Sequence, residues 1–98
     1  MDLLGSAKGW AGAFLYNDMA RNTLNRYYAR EDTLSLGVCN GCQLMVELDL
    51  IMPGLGNNIR MEHNVSRKFE SAFLCVDIPQ NKSVMFSSMT GSRLGIWV

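Results

Sequence analysis

Three patterns along the chain predict an α/β fold, part of an open sheet with helices packed against it. The first third has the period of amphipathic helices. A short apolar strand then runs directly into another helix, and the second half is strand-rich. That order suits part of a sheet better than a bundle or a sandwich. The 98 residues suffice for one small domain, 1–98, rather than two.

Ala7, Trp10, Ala11, Phe14 and Leu15 recur at helical spacing and form one apolar face. Gly9 and Gly12 weaken this helix and let a neighbour approach closely. Asn17 is placed to cap a second helix carrying Ala20, Leu24, Tyr27 and Tyr28, with Arg21, Asn25 and Arg26 on its wet side. Residues 33–38 alternate Leu34, Leu36 and Val38 with Ser35 and Gly37, which predicts a short buried strand. The helix after it has Leu44, Met45 and Leu48 on one face and is expected to end near Ile51, before Pro53-Gly54. Further strands are predicted at 59–63, at 69–78 with Pro79 as the stop, at 84–86 and at 94–98. The first helix begins almost at Met1 and the last strand runs into Val98, a pattern that predicts a piece of a larger domain.

An apolar fraction of 48% with only 18% charged residues and seven Met predicts surface meant to be covered by another domain or chain. Formal net charge is zero and no basic run occurs, so the electrostatic footprint of nucleic-acid binding is missing. No apolar stretch is long enough to span a bilayer, and the N-terminus lacks the pattern of a secretory signal. Three Cys give no paired disulfide framework, which makes a reducing cytoplasm the expected compartment.

Gly37-x-Cys39-x-Gly41 lies where the predicted strand meets the predicted helix. That is the arrangement of a nucleophile elbow. The nucleophile there takes a strained backbone conformation that makes it protrude from the sheet end. Small residues two before and two after it leave room for the neighbouring strand and helix. The positive end of the helix favours a negatively charged sulfur, and the backbone N–H of Asn40 can point at a developing oxyanion.

The run Gly37-Val38-Cys39-Asn40-Gly41-Cys42-Gln43 resembles the glutaminase motif of the phosphoribosylformylglycinamidine synthase family, whose glutaminase domains are class I glutamine amidotransferases. Three more stretches resemble the same family: Gly5-Ser6-Ala7-Lys8-Gly9-Trp10-Ala11-Gly12, the spaced set Arg60, Asn64, Ser66, Phe69 and Glu70, and Gly91-Ser92-Arg93-Leu94-Gly95-Ile96. Four stretches in order cover essentially the whole chain and are harder to reach by chance than one elbow.

The resemblance implies a flavodoxin-like sheet with its catalytic end at the carboxyl edge of the strands. It implies that Cys39 attacks glutamine, that the Asn40 N–H is one oxyanion donor, that Gln43 binds the substrate, and that Gly37 and Gly41 are the elbow glycines. The complete enzyme uses the released ammonia with ATP and Mg to amidinate formylglycinamide ribonucleotide, a step of purine biosynthesis. No cofactor or metal is expected in this segment. The family's triad also needs a downstream histidine and glutamate, and the lone His63 does not occupy that position. The second oxyanion donor belongs to an upstream glycine-rich loop. The isolated chain is therefore expected to be inactive or nearly so.

Other readings of the same residues were weighed. Cys39 alone could be an inert buried cysteine; the elbow spacing and the four stretches argue against it. Cys39-Asn40-Gly41-Cys42 also fits a redox pair or half a zinc site with Cys75 and His63, but neither of those belongs to a tight second ligand pair. Cys42 is expected to pack inside the first helical turn. His63 reads as a strand residue, and the residues from Arg60 to Glu70 carry no assigned catalytic role. Trp10, Phe14, Tyr27 and Tyr28 read as core or interface. The alternative to an enzyme segment is a non-catalytic α/β piece that binds itself or a partner through open sheet edges.

Overall fold

The computed structural model describes residues 5–54 and 59–98. The chain divides into two compact units, Met1–Glu62 and His63–Val98. The described residues form an α/β chain with three α-helices in the first unit and a two-stranded antiparallel sheet in the second.

Helix α1 (Ser6–Tyr16) starts after Gly5, whose φ of 87° is open to glycine but strained for other residues. Asn17 ends it and begins α2 (Asp18–Tyr28) as an N-cap, its Oδ1 accepting from Ala20 N–H at 3.1 Å. Arg21, Asn25 and Arg26 are exposed, as the periodicity predicts. Along α1 only Ala7 and Ala11 are buried; Trp10 is 62% exposed and Leu15 44% exposed. Helix α1 packs on α2 and on α3 (Asn40–Glu47). The close approach expected at Gly9 and Gly12 is not found. A Cβ at Gly9 would meet nothing within 4 Å, and at Gly12 only Tyr16 of the same helix.

Helix α3 stops four residues before the expected Ile51. Asp49 adopts a left-handed φ of 54°, Leu50 N–H bonds Met45 C=O at 2.9 Å, and Asp49 N–H bonds Val46 C=O at 3.1 Å. This is a Schellman C-cap with Asp in the place glycine usually takes, so no glycine marks the end in the sequence.

The strand expected at 33–38 does not form. Among the described residues its only backbone hydrogen bond joins Val38 C=O to Gly41 N–H at 2.9 Å, and no strand pairs with it. Leu34, Leu36 and Val38 are 75%, 71% and 70% exposed. Alternation specifies which side chains share a face, but a strand exists only where a partner accepts its ladder. Helix α2 holds the segment instead: Tyr27 OH donates to Leu34 C=O at 2.9 Å, and Tyr28 OH meets Ser35 Oγ at 2.8 Å.

In the second unit, strands β1 (Phe73–Asp77) and β2 (Arg93–Trp97) pair antiparallel with Cys75 opposite Gly95. β1 is the C-terminal half of the strand predicted at 69–78, and β2 is shifted by one residue from 94–98. The strand expected at 84–86 is a turn leading into a 3-10 turn at Ser87–Met89. Ser83 causes this, since its Oγ accepts from Met85 and Phe86 N–H at 3.2 and 3.3 Å and its C=O accepts from Ser87 N–H. Residues 59–63 form no strand; Arg60 instead pairs with Glu62 at 2.6 Å. The parallel sheet expected of the fold class is therefore absent among the described residues, and the sheet that forms is a hairpin.

Candidate active site

Cys39 lies in the first unit as the N-cap of α3, with φ 55° and ψ −115°. Residues with a Cβ rarely occupy this region, and holding one there costs about 1–3 kcal/mol. The turn is closed by short-range bonds: Gly41 N–H to Val38 C=O at 2.9 Å, then Cys42 and Gln43 N–H to Cys39 C=O at 3.0 and 3.3 Å. The Cys39 carbonyl thus starts the helix while its own φ stays outside it. The residue is exposed.

Gly37 shows the steric requirement of the elbow. A Cβ there would lie 2.4 Å from Met45 Sδ, 2.8 Å from Gly41 O and 2.9 Å from Cys42 N. Two of these are backbone atoms of α3 and cannot swing away. At Gly41 no atom lies within 4 Å of such a Cβ, so within the described residues the close approach falls on the near side of Cys39 alone.

Asn40 opens α3, and among the described residues its backbone N–H makes no hydrogen bond, as expected in a first helical turn. Its side chain is engaged. Nδ2 donates to Ser6 Oγ at 3.0 Å and to Gln43 Oε1 at 3.1 Å. The structure therefore brings Cys39, Asn40 and Gln43 onto one helix start and adds Ser6 from the beginning of α1. Sequence reasoning missed Ser6 as part of this group; its only signal was its place within the first family-like stretch.

Cys42 is exposed, against the expectation that it packs inside the first turn. Cys75 is also exposed, in the middle of β1. Among the described residues no group of three or more His, Cys, Asp or Glu gathers. No described helix is long and apolar enough to cross a membrane. An apolar groove of about 480 Å³ lies apart from the elbow, between α1 and α2, where Phe14, Met19, Ala20, Leu24 and Tyr27 line it. Phe14 is half-buried there and Tyr27 is 38% exposed.

Residues 1–98 match the family model of the CobB/CobQ-like glutamine amidotransferase domain.

Proposed function

Because the chain belongs to the CobB/CobQ-like glutamine amidotransferase family, we propose that it is the nucleophile-bearing segment of the glutaminase of a phosphoribosylformylglycinamidine synthase. The observation that carries the site is the backbone of Cys39, φ 55° and ψ −115° at the start of an eight-residue helix. A side chain stays in this region only where the surrounding structure over-determines it, and such strain clusters at functional sites.

In this reading the Cys39 sulfur attacks the side-chain amide carbon of glutamine. The carbonyl oxygen gathers negative charge beside the Asn40 N–H, which donates to it. Collapse expels ammonia, with a proton delivered to the leaving nitrogen, and leaves a glutamyl thioester. Water then cleaves the thioester to glutamate and restores the thiol. Gln43 holds the substrate one helical turn from Cys39. The histidine and glutamate that move the protons, and the second oxyanion donor, come from outside these 98 residues in this reading, since His63, the one histidine, does not match the family's position. Ammonia passes to a synthetase site where ATP and Mg support amidination of formylglycinamide ribonucleotide, in the cytoplasm. General acid–base help is worth roughly a hundred- to ten-thousand-fold, so the chain by itself is inactive or nearly so.

The partner in this reading is the remainder of the synthetase. Both edges of 33–38 are open, and Leu34, Leu36 and Val38 stand in solvent, which is the state of a strand awaiting neighbours. The same exposure favours the second reading, a non-catalytic piece that self-associates through those edges. Mass measurement in solution separates them: a homo-oligomer stable at low concentration supports the second.

A glutamine-mimicking chloroketone followed by mass spectrometry tests the site. Modification of Cys39 ahead of Cys42 and Cys75 is expected, and faster reaction of either of the others defeats the assignment. Glutamine turnover by the purified chain at the rate of a complete amidotransferase would refute its inactivity.

A further inference from the structure

We infer that the Asn40 side chain is a positioning residue that fixes the Gln43 amide for the substrate, anchored in turn by Ser6; this rests on the glutamine-binding reading of Gln43. Asn40 Nδ2 has two hydrogens, and both are used, one on Ser6 Oγ at 3.0 Å and one on Gln43 Oε1 at 3.1 Å. With its oxygen accepting from Asn40, Gln43 keeps its NH2 as the pair of donors left for a ligand. A ligand meeting that end must offer an acceptor, such as a carboxylate or amide oxygen of glutamine.

The arrangement does three things that an unheld glutamine would not. It selects one orientation of an amide whose two ends otherwise interchange freely. It removes in advance much of the rotamer entropy that a long polar side chain loses on binding. It also ties the choice to the fold, because Ser6 lies 34 residues away, at the start of α1. Asn40, Gln43 and Ser6 are half-buried while Cys39 beside them is exposed, so the relay lies under the reacting sulfur rather than in front of it. Asn40 then contributes twice: its backbone N–H faces the oxyanion, and its side chain sets the substrate's seat.

The test is saturable inactivation of Cys39 by the glutamine-mimicking chloroketone, read as KI and as the maximal rate, with iodoacetamide as a control that needs no binding site. Asn40→Asp replaces both donors by acceptors and sets an oxygen against Gln43 Oε1. KI is expected to rise about tenfold; the new carboxylate beside Cys39 slows maximal inactivation and iodoacetamide alike, and the ratio of those two rates stays that of the parent. Gln43→Ala is expected to raise KI similarly, and adding Asn40→Asp to it should add nothing, because the effect runs through Gln43. Ser6→Ala should raise KI about threefold. A KI for Asn40→Asp within twofold of the parent, or effects of Asn40→Asp and Gln43→Ala that multiply, overturns the inference while glutamine binding stands. A parent chain that is not saturable sinks the glutamine-binding reading and the inference with it. Where Asn40→Asp does not fold, nitrogen–proton NMR of the parent decides: one fixed Gln43 side-chain amide supports the relay, and an averaged, solvent-like one overturns it.

Discussion

The elbow segment, 33–47, and the hairpin, 73–97, are stabilised in opposite ways. In the hairpin the backbone finds its partners nearby: the ladder extends past both strand ends, with Ala72 and Val98 exchanging bonds at 3.2 and 3.1 Å and Ile78 N–H reaching Ser92 C=O at 2.9 Å. Its register is marked by cross-strand pairs, Phe73 against Trp97 at 5.5 Å between ring centroids and Asp77 against Arg93 at 2.6 Å. Phe73 also lies over Gly95, where a Cβ would come 2.5 Å from its Cζ. The elbow has a strained residue, a steric clamp at Gly37 and a strand-like approach with no ladder. A hairpin needs only its own two strands to satisfy its hydrogen bonds. A nucleophile elbow needs neighbours on both sides, and its strain is the sign that something beyond local preference set it.

The largest expected effect comes from filling the elbow. Gly37→Val puts a branched side chain against Gly41 O and Cys42 N, and the start of α3 must move. Overpacking of this kind costs about 1–3 kcal/mol, so saturable labelling of Cys39 should disappear while the hairpin amides keep their hydrogen-exchange protection. A matched loss in the hairpin would break the comparison by showing that the two regions fold as one.

Next is the strain itself. Cys39→Gly should be more stable than Cys39→Ala by about 1 kcal/mol, measured by denaturant unfolding, because only glycine is at ease at φ 55° and ψ −115°. Alanine level with or ahead of glycine, against both the backbone strain and the ordinary N-cap preference, would show that the elbow conformation relaxes in solution. On the hairpin side, Phe73→Ala removes the contact with Trp97 and uncovers Gly95, at a cost of about 0.5–1.5 kcal/mol read from faster exchange in β1 and β2. It should leave Cys39 labelling unchanged.

The smallest effect is the pH dependence of Asp32. The hydrogen bonds from Arg30, at 2.8 and 2.7 Å, hold its carboxyl below the usual range. A carboxyl depressed on folding contributes stability above its unfolded value, about 3.9, and that contribution fades as pH falls through the lower folded value. Asp32→Asn should therefore lower stability slightly at neutral pH and match the parent in strong acid, by thermal unfolding at each pH. Both partners are mostly exposed, which keeps the effect small.

Much of this was legible in the sequence because it is local. Asn17 announces a cap by its residue type, helical spacing places α1 and α2, and the glycine–cysteine–glycine spacing locates the start of α3. Where the reading failed, a short-range competitor or a missing partner was responsible. Ser83 captures the backbone of 84–86 for a turn, and Asp49 ends α3 in a conformation that its residue type does not advertise. At 33–38 the hydrophobic alternation is real, but alternation cannot supply a neighbouring strand.

By itself the sequence determined the three helix starts, the sharp turn at Cys39 and the amidotransferase family, because each depends on residue type and spacing along a few turns of chain. Only the tertiary structure decided that Gly37 is clamped by α3, that Ser6 reaches across 34 residues to Asn40, and that Gln43 is held by it. Those contacts depend on how α1 packs on α3, which spacing along one helix does not specify.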